Sequence, residues 1–522
     1  MERLTESPAA PSSRRWWVLV ITCLAVFVTV LDGTIVNVAL PSLSDELAAS
    51  TRDLQWVVDA YLLVFCALLL GAGSLGDRIG RRKILIIGLI VFAATSAFAG
   101  ASGSVGSLIS ARALMGIGAA MIFPATLAII TNVFPDPIER GKAIGIWGAS
   151  SGMAVAAGPV LGGWLLEHFW WGSIFFVNLP IAVVTIIGTI LVVPDSRDES
   201  THRLDPLGLV LSTAGVFALV YTIIEASAWG WASARTIGGF AVSIAVLAIF
   251  AVWELRTPEP MLPVRIFRNL RFTAASVSIT AAFFALFGFI FLVTQYFQLV
   301  REYSPLGAGL RTLPVATAIA IGSVIAPKAV ELRGTKFVVS LGLFLLACGF
   351  AWIGTVRADT PYLIIVCQMM FNGFGMGFTT APATESIMGS LTPDKAGIGS
   401  AVNDTTRELG GTLGVAVIGS VFTSVYVGAL RDRSVFQSLA PQARRAAEES
   451  VSAAAQVASG MGDRAPAFLA EVKDSFLSGF SVGCWVSAGV ALAGSLFAMR
   501  YLPARAHAPA TAPTPESVLN LE

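Results

Sequence analysis

Along this chain apolar and polar positions alternate in long blocks, not residue by residue. Runs of roughly 20 apolar residues, enough for a helix to cross a hydrocarbon core, are separated by short polar turns. Fourteen such spans are read, at 16–38, 54–75, 84–101, 107–130, 142–164, 174–193, 206–225, 237–254, 273–296, 306–326, 337–355, 361–384, 398–425 and 476–500. The pattern predicts an all-α integral membrane protein, since a helix satisfies its own backbone hydrogen bonds in lipid.

The sharpest break lies between the second and third spans, at Gly73-Ser74-Leu75-Gly76-Asp77-Arg78-Ile79-Gly80-Arg81-Arg82-Lys83. Short loops rich in Lys and Arg stay in the cytoplasm, so the four cations of this turn place it on the cytoplasmic face. The rest of the charge agrees. With the N-terminus inside, 21 of the 34 Lys and Arg fall on that side, whereas the short opposite loops hold four: Arg52, Arg235, Arg301 and Arg357. Both termini are therefore expected in the cytoplasm, and the polar residues 1–15 read as a retained tail, not a cleaved signal.

Composition narrows the class. Charged residues make up 13% of the chain, against about 25% in soluble domains, and the mean hydropathy is +0.76. The five cysteines fall in apolar spans without a CxxC spacing, and the three histidines lie in loops or the tail, so no disulfide framework or metal cluster is visible. A P-loop GxxxxGK[ST] is absent, which excludes that kind of ATP-driven pump. No nucleophile–base pair marks an enzyme. No cofactor is expected beyond protons, and no nucleic-acid partner.

The chain divides into a tail at 1–15, a six-helix bundle at 16–200, an inserted helix pair at 201–262, a second six-helix bundle at 263–502 with an extracytoplasmic loop at 426–475, and a tail at 503–522 whose Pro/Ala-rich composition predicts disorder. The second bundle repeats the first in degraded form. Its segment Pro327 to Lys336 keeps acid, two residues, Gly, then a cation when Gly334 is laid over Gly80. Repeated halves with a site between them mark transporters.

Charges inside the spans are the candidate chemistry. Asp32 stands about two thirds of the way across the first span, where an ionised carboxylate costs several kcal/mol unless paired, protonated or wet. Asp59 lies in the outer half of the second, between Trp56 and Tyr61. Aromatic faces beside an anion suit a lipophilic cation, although Trp and Tyr near a span end also form the interfacial belt. Arg112, five residues into the fourth span, needs a carboxylate or anion, and Asp32 and Asp59 are at similar depth. In the fifth span, Gly148, Gly152, Gly158, Pro159, Gly162 and Gly163 let a neighbour approach closely and slide. Asp404 and Arg407, at i and i+3, read as a self-neutralised pair, and Glu408 beside them receives no role.

These residues resemble the major facilitator superfamily, in its 14-span drug:H+ antiporter branch. The turn at 73–83 is similar to that superfamily's signature loop and matches it at Gly73, Asp77, Arg78, Gly80 and Arg81. Leu31 to Pro41, Arg112 to Gly118 and Gly148 to Gly163 resemble the branch's span-one, span-four and antiporter motifs. The resemblance implies that Asp32 and Arg112 serve proton coupling, with Asp59 beside them, and that Asp77, Arg78 and Arg81 latch the cytoplasmic gate. Asp32, Trp56, Asp59 and Tyr61 become candidates for the substrate cavity, because Trp56 to Tyr61 resembles exporters of quaternary ammonium compounds and other lipophilic cations. The implied protein is a monomeric, proton-coupled multidrug antiporter of a bacterial cytoplasmic membrane, working by alternating access. The alternative on the same fold is a dedicated exporter of one endogenous metabolite or antibiotic.

Overall fold

The computed structural model describes residues 12–196, 205–258, 260, 262–390 and 396–504, excepting the side chains of 12–13, 70, 74, 77, 137–138, 396–398 and 400–401. Expectations about most of both tails, the Asp77 carboxylate and the side chains at the start of span thirteen lie outside the described residues.

Each predicted span is a helix. The first six are carried by α1 (Ser12–Leu47), α2 (Thr51–Ile79), α3 (Arg81–Gly100), α4 (Val105–Val133), α5 (Pro137–His168) and α7 (Asn178–Val192), the last preceded by the single turn α6 (Ser173–Phe176). The inserted pair is α8 (Pro206–Trp229) and α9 (Ala234–Arg256). The second bundle comprises α10 (Leu270–Gln295), α11 (Pro305–Arg333), α12 (Thr335–Ile353), α13 (Tyr362–Met388), α14 (Ala396–Arg431) and α18 (Ala465–Tyr501). Between α14 and α18 lie three short helices, α15 (Ser434–Gln437), α16 (Pro441–Glu449) and α17 (Val451–Ser459). Among the described residues thirteen helices are long and apolar enough to cross a membrane, and α2 adds a further 29-residue helix over the second predicted span.

Several helices start on a side-chain cap. Ser50 and Asp53 close a capping box on α2, and Ser304 accepts the Gly307 N–H at the start of α11. The internal repeat is visible in the backbone. Gly80 joins α2 to α3 at φ 117° and Gly334 joins α11 to α12 at φ 82°, so each half turns on one glycine in a conformation L side chains avoid.

The inserted pair leans on both halves through α8. Trp56 of α2 packs on Phe217 and Tyr221 of α8 with centroids 6.1 and 5.9 Å apart, Arg52 pairs with Glu225 at 2.9 Å, and Ser420 of α14 donates to the Ile223 carbonyl at 2.8 Å. At the ends opposite the basic turn, the α15–α17 segment reaches the first bundle: Ser44 of α1 donates to Ser450 at 3.1 Å.

Candidate functional site

Asp32 and Arg112 meet. Both side chains are wholly buried, and an Arg112 Nη1 hydrogen bond and ion pair joins them. The second carboxylate oxygen accepts from Asn178 of α7 at 2.9 Å, and Asn178 also donates to Ser96 of α3 at 3.0 Å. Arg112 Nε donates to the Val57 carbonyl at 3.0 Å, while its guanidinium lies 4.3 Å from the centre of the Tyr61 ring. The Tyr61 hydroxyl donates to the Thr29 carbonyl at 2.9 Å. Four helices and α1 itself thus hold one charge pair in the buried interior, where breaking it strands an uncompensated charge at about 3–5 kcal/mol.

Asp59 does not join this pair. On α2, Gln55 and Cys66 point at α14, with Gln55 reaching the Ala416 carbonyl at 3.5 Å and Cys66 the Thr405 carbonyl at 3.6 Å. Trp56 and Leu63 point at α8. At 100° per residue Asp59 falls between these two directions, and both of its buried oxygens lack a hydrogen-bond partner among the described residues. The four residues expected together, Asp32, Trp56, Asp59 and Tyr61, do not share one face in this structure. Asp32 and Tyr61 are sealed inside the first bundle, Trp56 turns toward the inserted pair and Asp59 faces between α14 and α8, because Tyr61 stands roughly 140–160° around α2 from both.

The α5 stripe has two ends. Gly158 and Gly162 pack against Thr34 and Ile35 of α1, directly after Asp32. Gly163 meets α11 so closely that a Cβ there would lie 2.5 Å from Leu306 Cα, and Gly309 of α11 abuts the Pro159 carbonyl. Beyond the stripe, Glu167 accepts the Leu306 N–H at 3.2 Å. Thr294 and Gln298 of the second bundle each donate at 2.9 Å to carbonyls of Asn37 and Val38 in α1.

The other end is empty. Gly141, Gly145, Gly148 and Gly152 share an arc of about 60° with Pro159 and Gly163, yet a Cβ on any of the four would meet nothing within 4 Å. On α11 the matching face, carrying Ala320, Val324 and Pro327, is exposed. The two bundles are sealed on the side away from the basic turn and separated on the side that carries it.

Glu408 faces the separation between the bundles. Around α14, Thr405 and Ala416 meet α2, Leu413 and Val417 meet α8, and Arg407, Gly411 and Gly414 meet Phe283, Phe287 and Phe284 of α10. Asp404 and Glu408 occupy the remaining sector, between α10 and α2 and opposite α8. Asp404 and Arg407 pair at 4.0 Å as the spacing suggests, and Arg407 donates to Thr384 at 3.1 Å. Sequence reasoning missed Glu408 and Asn178. Their only signal was a polar side chain in a span, which marks a site but not its partner.

The signature turn is ordered by its neighbours. The Arg81 N–H donates to the Ser196 carbonyl at 2.9 Å and its guanidinium to the Ala128 carbonyl at 3.4 Å. Gly73 lies beside Pro124 of α4.

The sequence matches the Major Facilitator Superfamily over residues 22–415. It is 35% identical over 487 residues to the multidrug efflux pump LfrA of Mycolicibacterium smegmatis, covering 93% of this chain and 95% of that protein. It is 31% identical over 492 residues to the tetracenomycin C resistance and export protein of Streptomyces glaucescens, covering 93% and 91%. In shape it is similar to a bacterial homologue of the human lysosomal transporter Spinster, solved inward-facing and unoccupied, with a TM-score of 0.67 at 16% identity over 96% of this chain and 100% of that one.

Proposed function

The chain belongs to the Major Facilitator Superfamily and is a multi-pass protein of a bacterial membrane, and from that premise we propose that it is a proton-coupled multidrug efflux antiporter exporting lipophilic, cationic compounds. The observation that carries this reading is the buried Asp32–Arg112–Asn178 network beside the α5 stripe. A proton on Asp32 removes the charge that holds Arg112, so protonation and the packing of α1 are linked. Gly158 and Gly162 grip α1 at Thr34 and Ile35, so movement of α5 is felt one turn or less from that carboxylate.

With the basic turn and both termini in the cytoplasm, the open side faces inward. Cargo enters from the cytosol or inner leaflet while Asp32 gives up a proton. The bundles then rock, the α5–α11 seal parts, the Gly73–Lys83 turn closes with Asp77, Arg78 and Arg81 as its latch, and external protons displace the cargo. One chain contains the whole cycle. Export of a single compound, as the name of the tetracenomycin C relative states for that protein, would use the same parts.

The test is ethidium efflux from proteoliposomes under an imposed pH gradient. The parent should pump and Asp32→Asn should lose gradient-driven efflux by more than about tenfold, given the cost of stranding Arg112. Efflux that survives collapse of the gradient would overturn the antiport reading.

A further inference from the structure

We propose that Glu408 is the residue that recognises the positive charge of the cargo, in a site formed where α14 faces the gap between α10 and α2. This rests on the export reading above and assigns its substrate class to a residue that the motifs leave unused.

Three observations converge. Glu408 is partly exposed as a residue, and its carboxylate has no hydrogen bond or ion pair among the described residues. The nearest cation, Arg407, is directed elsewhere: its guanidinium is 4.0 Å from Asp404, 3.1 Å from Thr384 and 5.5 Å from the centre of the Phe283 ring. Cys66 of α2 donates its Sγ–H to the Thr405 carbonyl at 3.6 Å, one turn from Glu408, so this stretch of α14 lies beside the first bundle.

The surroundings suit a flat organic cation. Phe283 and Phe287 stack one turn apart with centroids 6.0 Å apart and are partly exposed, and Phe287 lies against Gly411, one turn from Glu408. Arg407 already rests over Phe283, which shows that this wall accepts a cation on a ring face. Tyr61, Phe65, Phe123 and Trp147 form a second aromatic row, with successive centroids 5.9, 5.7 and 5.1 Å apart, but it is buried in the core of the first bundle and leaves Phe283 and Phe287 as the rings open to the gap. A carboxylate at the edge of such a wall attracts a monocation whose body spreads over the rings, whereas an inorganic cation gains little from them. Asp59, by contrast, is closed off between α2, α14 and α8 and cannot meet cargo in this state.

The experiment measures ethidium affinity of the purified full-length protein by fluorescence anisotropy, for the parent, Glu408→Gln, Glu408→Asp and Asp59→Asn. Glu408→Gln should weaken binding about tenfold or more, Glu408→Asp should restore it to within about threefold, and Asp59→Asn should leave it within about threefold of the parent. Thermal unfolding of each variant separates lost recognition from lost fold. A folded Glu408→Gln that binds ethidium as tightly as the parent overturns the assignment, as does an Asp59→Asn that alone abolishes binding. Asp32→Asn, assayed alongside, distinguishes the two proposals: lost pumping with intact ethidium affinity leaves the Glu408 result to stand on binding alone.

Discussion

Gly163 and Gly148 lie on one face of one helix and live in different surroundings. Gly163 is pressed against the backbone of α11 at Pro305 and Leu306, whereas Gly148, four turns nearer the basic face, has nothing opposite it. The residue type is the same, so the difference comes from the relative tilt of the bundles. A stripe of small residues makes close approach possible along its whole length. A rigid pair of helices that touches at one end and diverges at the other uses only half of it at a time. That is the geometry alternating access requires, with the unused half held for the opposite state.

The largest effect is expected where contact is tightest. Gly163→Leu should overpack the seal at a cost of about 1–3 kcal/mol, shifting the population away from the state sealed there by about 5- to 150-fold. Spin-label distances between the outer ends of α5 and α11 would report it. Gly148→Leu should leave those distances and ethidium binding unchanged while slowing turnover. Equal effects of the two substitutions on the distances would refute the division of the stripe.

A smaller effect is expected at the open end. There, on the gating proposed above, Asp77→Asn removes a carboxylate from the turn that would close against the start of α14, where a helix dipole attracts negative charge by up to about 2 kcal/mol. Transport should slow while cargo affinity holds. A lost binding signal would show that the turn shapes the site as well as the gate.

The smallest is Glu167→Gln at the closed end. Its amide oxygen can still accept the Leu306 N–H, but the lost charge at the first turn of α11 should cost about 0.3–1 kcal/mol. Cysteines placed near Leu306 should become labelled from the outer side up to about fivefold faster, and no change would reduce the contact to packing.

Much was legible from the sequence because a membrane makes few demands, all of them one-dimensional. Span length, the side chosen by Lys and Arg, and the single-glycine turns at Gly80 and Gly334 are set by nearest neighbours along the chain. So was the presence of costly charges at Asp32, Asp59 and Arg112, since each stands in a predicted span; Glu408, at the end of the polar run Asn403 to Glu408, did not stand out. What those charges touch was not. Asp32 and Arg112 are 80 residues apart, Asn178 lies 146 residues beyond Asp32, and Asp59 sits one turn from Tyr61's neighbours yet faces a different helix. Helical phase fixes the direction of a side chain on its own helix, but which helix stands in that direction depends on the packing of all fourteen spans. The sequence determined which spans carry charge and between which spans the basic turn falls. The tertiary structure decided that Asp32, not Asp59, holds Arg112, that Glu408 faces the gap, and which end of the α5 stripe is closed.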